Sequence, residues 1–236
     1  MNKFVLNIKC DREDKLEIAL DSTSLESDKE ESSIFNSLPR YGRHKNPLVT
    51  EKRIFVDYAV IDGVYGKIRK IKQCSFSGCS RVEEICIAAH VHSIEWNMYG
   101  CDNLLNIVVD KQNPKYKDIN GVLFSIDGKN LIGFPSGRIG RYSIPMGTKK
   151  LNNCSFKYSH LSELEIPDSL EEIGSNVFYH CQFLKEIIVP DTIRKIEMNH
   201  NEGLRPISQR FYFKSDVLKL HPYSIEEIIE KIHEKK

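Results

Sequence analysis

The 236-residue sequence lacks the charge excess and the long apolar runs that characterise several large classes of protein. Its 34 Lys and Arg residues nearly balance its 33 Asp and Glu residues, so it lacks the basic excess usual in nucleic-acid-binding proteins. No apolar run approaches the ~20 residues of a membrane-spanning helix. The apolar stretch near Met1 is too short for a secretory signal. We therefore expect a cytoplasmic chain without a membrane span, and a secreted or cell-surface location is the alternative.

The sequence also lacks the common motifs of catalysis and cofactor binding. It has neither a phosphate-binding loop of the G-x-x-x-x-G-K-[ST] type nor a G-x-S-x-G nucleophile elbow. Its seven cysteines include no C-x-x-C pair, and an odd number cannot all pair within one chain. Reduced cysteines that serve as small apolar side chains are the expected state. We predict a protein that is not an enzyme and binds no cofactor.

The first fifty residues differ in pattern from the rest of the chain. The runs KFVLNIK and KLEIALD alternate apolar and polar residues and predict a β-hairpin. Residues 22–46 are polar and charged and predict a linker. The run KRIFVDYAVIDGVYG then predicts further strand structure that ends at an Asp62-Gly63 turn. We assign residues 1–50 to an N-terminal β segment with a polar linker.

A repeated phrase fills much of the chain that follows. LEIPDSLEEIG begins at Leu164, and the near copy IIVPDTIRKIE begins at Ile187. Stretches such as CSFSGC and CSFKYS add a Phe at a fixed position, which Met98 occupies in a weaker copy. The composite unit is I-x-x-x-x-F-x-x-C-x-x-L-x-x-I-x-I-P-x-x-I-x-x-I. A period of about 22 residues around an L-x-x-I-x-I core is typical of a leucine-rich-repeat solenoid.

Stacking of coils explains why the phrase recurs. A single coil of this length cannot bury its apolar positions, whereas stacked coils turn each position into a column through a continuous core. The L-x-x-I-x-I segment is predicted to be a short strand that ends at the following Pro, and the Phe column fills the opposite side of each coil. The inward residues of the strands are predicted to be Val82, Ile85, Ile87, Leu104, Ile107, Val109, Leu161, Leu164, Ile166, Leu184, Ile187 and Val189.

The array is interrupted after Val109. The stretch GVLFSIDGKNLIGFP predicts an inserted hairpin, with strands at 122–124 and 131–134 and a turn at Asp127-Gly128. In this interpretation the repeat resumes at Ile144-Pro145. The array then has about four repeat units plus the inserted hairpin coil, within a solenoid that we assign to residues 51–200.

The repeat pattern fades after Ile196, and residues 201–236 are predicted to form a C-terminal cap. FYFKSDVLKLHP predicts a last strand. Ser224 and Glu227 have the spacing of a capping box at the start of a helix. The apolar positions on one face of this helix are Ile225, Ile228, Ile229 and Ile232. Such a helix can cover the open end of the stack.

These units resemble a known family. NVFYHCQFLKEIIVPDTIRKI and CSFSGCSRVEEICI are similar to the BspA-like class of leucine-rich repeats, which is common in bacterial surface and secreted proteins. The insertion, from NPKYKDINGVLF to GFPSG, also resembles a segment that recurs in that family. The resemblance covers about residues 71–196. It implies a curved solenoid that binds proteins or other macromolecules, in some members host components, and it brings no catalytic motif.

Two groups of cysteine and histidine residues allow alternative interpretations. Cys79, Cys101 and Cys181 recur at one repeat position, so we expect a column of small buried side chains rather than nucleophiles, which would need an activating base at a fixed spacing. Cys86, with His90 and His92, is a possible zinc cluster. The other repeats hold unrelated residues at these positions and no fourth ligand is specified, so we predict no metal site.

The remaining candidate for function is the outward surface of the predicted strands. The residues between the last two inward positions, and the acidic residues just before them, should point to solvent. The predicted binding residues are Cys86, Val108, Glu163, Glu165, Glu186 and Ile188. This mixed apolar and acidic surface suits a protein partner better than a nucleic acid. We predict a non-enzymatic protein that binds a protein or other macromolecule through its solenoid surface, and the alternative is an adhesin of the same fold.

Overall fold

The computed structural model describes residues 3–9, 15–21, 52–56, 58–61, 64–71, 75–76, 78–197, 210–214 and 225–234. The predicted linker, the Asp62-Gly63 turn and Ser224 lie outside these ranges. In chain order the elements are β1 (Lys3–Lys9), β2 (Lys15–Asp21), β3 (Arg53–Val56), β4 (Tyr58–Ile61), β5 (Val64–Lys67), β6 (Lys70–Ile71), β7 (Glu84–Ile87), β8 (Ser93–Ile94), β9 (Asn106–Val109), β10 (Tyr116–Ile119), β11 (Val122–Ser125), β12 (Asn130–Gly133), β13 (Ile139–Ser143), β14 (Lys150–Leu151), β15 (His160–Glu165), β16 (Glu172–Ile173), β17 (Glu186–Val189), β18 (Lys195–Ile196), β19 (Arg210–Phe213) and α1 (Ile225–Glu234).

The N-terminal strands form an antiparallel sheet. β1 and β2 pair along their whole length, from Lys3 opposite Asp21 to Lys9 opposite Lys15, so the predicted hairpin is confirmed. β1 also pairs with β4, and β4 pairs with β5, which gives the order β2-β1-β4-β5. β3, which comes between these strands in the chain, instead joins the solenoid by pairing in parallel with β7.

The repeat pattern produces two series of parallel strands. The L-x-x-I-x-I segments form the first series, in which β3, β7 and β9 share one ladder, β13 pairs with β15, and β17 pairs with β19. The segments that follow form the second, in which β12, β14, β16 and β18 are neighbours and β6 pairs with β8. We call the outer surface of the first series the strand face.

The apolar positions of the repeat are buried as predicted. All twelve inward residues of the L-x-x-I-x-I strands are buried except Ile166, which is half-buried against the same core. The Phe column is also confirmed, because the ring centroids of Phe134 and Phe156 are 4.9 Å apart and those of Phe156 and Phe178 are 6.1 Å apart. Phe76 and Met98 occupy this position in earlier coils and are buried there.

The inserted hairpin is confirmed and divides the core in two. β11 and β12 pair in antiparallel fashion, and β10 adds a third antiparallel strand that the sequence did not predict. Side chains alternate along a strand, so Leu123 enters the N-terminal apolar cluster while Val122 and Phe124 enter the C-terminal one. The inserted strand β11 therefore lies between the N-terminal and C-terminal apolar clusters and contributes side chains to both.

A buried amide ties the insertion to the preceding coil. The Asn113 side chain donates hydrogen bonds of 2.9 Å to the carbonyl oxygens of Ala88 and Val91. Its Oδ1 accepts hydrogen bonds of 2.9 Å from the backbone N–H groups of Lys115 and Tyr116. Both donors and both acceptor sites of the amide are thus satisfied, as a buried polar side chain requires.

The prediction that the repeat resumes only at Ile144 is wrong. β13 begins at Ile139 and pairs in parallel with β15, with Tyr142 opposite Leu164, so a further coil begins at Phe134. The sequence hid this coil because Tyr142 takes an inward position that is Leu or Ile elsewhere. In addition, the pairing of β13 with β15 shifts by one residue between Gly140 and Arg141, so Ile139 and Gly140 are out of register with the rest of the repeat.

The C-terminal cap has the predicted elements. β19 pairs in parallel with β17 as a last strand, and helix α1 follows. Ile228 and Ile232, one helical turn apart, are buried in the C-terminal cluster, so the helix packs its apolar face against the core. Among the residues that the structure describes, no helix has the length and apolarity needed to cross a membrane.

Candidate functional site

The structure divides the six predicted binding residues into two groups on the strand face. Cys86 on β7 and Val108 on β9 lie in neighbouring positions, since they are register partners. The other four, on β15 and β17, lie beyond the insertion and line a common groove: Glu163, Glu165, Glu186 and Ile188. The predicted residues therefore lie in two separate parts of the face.

The turn between β10 and β11 separates the two parts. The Ile107 N–H donates a 3.0 Å hydrogen bond to the Gly121 carbonyl, so the edge of β9 is occupied by the insertion. Arg138 closes the junction, because its guanidinium donates to the carbonyls of Leu105 (2.6 Å) and Asn120 (2.8 Å). Gly121 has φ +76, which favours glycine, and a Cβ there would lie 2.3 Å from Arg138 Nη2, so a side chain at this position would force Arg138 to move.

The N-terminal part of the face carries a thiol beside a carboxylate. Cys86 Sγ lies 3.5 Å from Glu84 Oε1, and Arg53 forms an ion pair with the same Glu84. Burial is the largest cause that raises the pKa of the Cys86 thiol above its usual value. A nucleophilic cysteine needs the opposite shift, because the thiolate is the reactive form. The shift therefore gives no support to Cys86 as a nucleophile, and its side chain lies beside Val108 on the strand face.

The C-terminal part of the face contains a groove of about 390 Å³ between β15 and β17. These strands belong to different hydrogen-bonded pairs, and in the described part of the chain no ladder joins them. The groove therefore follows an opening in the strand series. Besides four of the predicted residues, it is lined by Arg141, Ser162, Leu164 and Lys185. Arg141 was missed because it belongs to the coil that the sequence pattern hid.

Most charged groups of the groove already have partners. Arg141 forms an ion pair with Glu165, which also accepts a hydrogen bond from the Ser143 hydroxyl. Glu186 Oε1 lies 3.2 Å from Arg210 Nη2, and Lys185 Nζ donates to the Gln182 carbonyl at 3.1 Å. Glu163 differs, because in the described part of the chain its carboxylate has no hydrogen bond or ion pair.

The cysteine column is buried, and its thiols donate hydrogen bonds to the preceding coil. Cys101 Sγ donates to the Phe76 carbonyl at 2.9 Å, and Cys181 Sγ donates to the Phe156 carbonyl at 3.0 Å. Burial raises the pKa of Cys79 to about 12 and that of Cys181 to about 11. These thiols are protonated at neutral pH, which agrees with their predicted place in a column of small buried side chains.

The possible zinc cluster gains no support from the geometry. His90 lies in the turn after β7, and His92 precedes β8. Among the residues that the structure describes, no three His, Cys, Asp or Glu side chains are close enough together to hold a metal ion.

Solved structures of bacterial leucine-rich repeat proteins are similar to this chain. A leucine-rich repeat protein from Eubacterium ventriosum shares 26% identity over 63% of this chain and 41% of its own, with a TM-score of 0.55. This chain thus spans less than half the length of that protein. The pneumococcal vaccine antigen PcpA shares 23% identity over 62% of this chain and 46% of its own, with a TM-score of 0.45. No curated protein sequence matches the chain significantly.

The repeat itself identifies the family. The sequence matches the BspA-type leucine-rich repeat region in six copies, over residues 63–128 and 133–232. This exceeds the predicted number of about four units, partly because the coil that begins at Phe134 was not recognised. The chain belongs to the BspA-type leucine-rich repeat family.

Proposed function

We propose that this chain is a non-enzymatic binding module that holds a protein partner on its strand face. The proposal rests on the location of the exposed apolar side chains. Five of the eight large apolar side chains that are exposed in the described part lie on or next to the strands of this face. They are Leu105, Val108, Ile139, Phe183 and Ile188.

Such a distribution favours recognition of another protein. Exposed apolar residues rimmed by polar ones mark interaction surfaces, whereas single scattered ones are normal. Ile139 is 79% exposed and Phe183 is 54% exposed, and both flank His160 of β15. The backbone beneath them is fixed by stacked coils, so little ordering free energy would oppose binding.

The experiment is an affinity purification with two matched variants. Ile188→Arg places a charge in the groove, and Met146→Arg places the same charge on a turn elsewhere, at a side chain that is 76% exposed. We expect a partner, identified by mass spectrometry, to be retained by wild type and Met146→Arg and lost by Ile188→Arg. Equal retention by all three proteins contradicts binding through the strand face.

A second candidate is an adhesin that uses the same face outside the cell. Membership of a family that is common in bacterial surface and secreted proteins favours it. The same three proteins can be tested against immobilised extracellular-matrix proteins. Saturable binding to one of these, lost in Ile188→Arg and kept in Met146→Arg, would select the adhesin over an intracellular module.

A further inference from the structure

The opening between β15 and β17 gives the groove features that a closed sheet would not have. β13 pairs with β15 and β17 pairs with β19, so each central strand has one satisfied edge. Neighbouring strands in a ladder lie about 4.8 Å apart and exchange backbone hydrogen bonds. The facing edges of β15 and β17 form no such ladder in the described structure. Edge groups that are not paired in a ladder can bond to another polar chain or to water.

The charge in the groove is arranged to receive a cation. Each basic side chain has an acceptor: Arg141 has Glu165, Lys185 has the Gln182 carbonyl, and Arg210 has Glu186. Glu163 is exposed and has no such partner among the described residues. A cationic group that enters the groove can pair with Glu163 without breaking an existing ion pair. An anionic group would be repelled by the Glu163 carboxylate, and without breaking an ion pair it could pair only with Lys185, whose ammonium donates to a carbonyl and not to a carboxylate.

Apolar side chains lie at both ends of the groove. At the first end, the rings of His160 and Phe183 are in edge-to-face contact with centroids 5.7 Å apart, and Ile139 is the register partner of His160. At the other end lies Ile188, which is 40% exposed. Residues 183 to 188 would span about 17 Å if fully extended, the length of about five extended residues.

We propose that the groove binds an extended peptide segment of the partner, with a Lys or Arg side chain on Glu163 and an apolar side chain toward each end. This inference rests on the proposed binding function and specifies the chemistry of the partner. The unpaired Glu163 carboxylate favours a basic side chain in the peptide. The apolar side chains at the two ends of the groove favour apolar residues on either side of it. The edges of β15 and β17 that are not paired in a ladder can accommodate a peptide backbone. The same carboxylate repels phosphate groups and acidic side chains, so it disfavours nucleic acids and acidic segments.

The test uses three labelled peptides that differ only at the central residue: acetyl-Leu-Thr-Arg-Thr-Leu-amide and its Gln and Glu counterparts. Binding is followed by the fluorescence anisotropy of each labelled peptide as the full chain is added, up to about 1 mM, which detects dissociation constants in the millimolar range. We expect the Arg peptide to bind at least about tenfold more tightly than the Gln peptide, with an affinity that falls as salt is added. The Glu peptide should bind most weakly.

Two variants make the assignment specific. Glu163→Gln should bring the Arg peptide to the affinity of the Gln peptide, while Glu230→Gln, the same change on an exposed residue of α1, should have no effect. Glu163→Lys should reverse the preference and favour the Glu peptide, which also shows that the variant is folded. Absence of binding by all three peptides, or an unchanged preference in Glu163→Gln, overturns the proposal. A partner lost in Ile188→Arg but retained in Glu163→Gln would leave the binding function standing and refute only this inference.

Discussion

The coils before and after the insertion are built from the same repeat but present different surfaces. Before it, β3, β7 and β9 form one ladder, and the face carries Cys86 and Val108 in adjacent register. After it, the strand series opens between β15 and β17, and a groove with an unpaired Glu163 lies in the opening. The comparison indicates that the buried columns determine the fold, while a break in the strand series opens a groove on the face.

The two halves also differ at the turn that follows the Phe column. Gly78 and Gly100 take this position in the first half with φ of 78 and 72. Tyr158 and His180 take it in the second half with φ of 66 and 58, although this region disfavours bulky residues. Their rings stack 5.3 Å apart with an interplanar angle of 10°, and we expect this packing to offset the backbone strain in the second half.

The largest expected effect comes from the Phe column of the second half. Phe156 is fully buried and its ring lies between those of Phe134 and Phe178. Phe156→Ala should lower the free energy of unfolding by about 4 kcal/mol, through lost burial and the cavity left behind. Urea denaturation followed by circular dichroism measures it. Phe156→Leu is the control, and a loss equal to that of Phe156→Ala would mean that the column tolerates no change in shape.

The junction between the halves should be the next most sensitive site. Asn113→Ala removes a buried amide that bonds the Val91 carbonyl and the Lys115 and Tyr116 N–H groups, so we expect a loss of about 3 kcal/mol. The control is Asn103→Ala, which removes one exposed hydrogen bond, to the Ser80 carbonyl, and should cost under about 1 kcal/mol. Equal losses would show that Asn113 does not hold the insertion.

The buried columns could be predicted from the sequence, but the features that create the groove could not. The L-x-x-I-x-I period specifies which side chains are inward, because burial depends mainly on apolar pattern. The opening between β15 and β17 leaves no such trace, since Glu163 and Glu186 occupy the same repeat position whether or not the strands are joined. Asn113 was also not identified, because its importance depends on carbonyls of the previous coil.

A smaller effect should separate backbone strain from ring packing at the turn position. Tyr158→Ala and Tyr158→Gly both remove the ring, but only Gly relieves the positive φ, so the Gly variant should be more stable by about 1 kcal/mol. At Gly100 the same preference for Gly over Ala should hold, with a steric cost added to the positive φ. A Cβ there would lie 3.1 Å from the Gly78 Cα, so Gly100→Ala should be less stable than wild type by more than about 1 kcal/mol.

Thermal unfolding of the three variants and wild type provides the measurement. If Tyr158→Ala is as stable as Tyr158→Gly, the positive φ at Tyr158 carries no strain, and the contrast between the halves reduces to ring packing alone.

The smallest expected effect concerns the thiol column, which runs through both halves. Burial raises the pKa of Cys181 from 9.0 to about 11, so the folded state holds this proton more tightly than the unfolded state does. Its contribution to stability is fully present below pH 9 and is lost as the pH rises through 11. Cys181→Ser should therefore lose less stability than wild type between pH 9 and 11, measured by urea denaturation at each pH. The same slope in both proteins would mean that this thiol does not link stability to pH. At neutral pH the column should resist alkylation until the chain unfolds, because protonated buried thiols are unreactive.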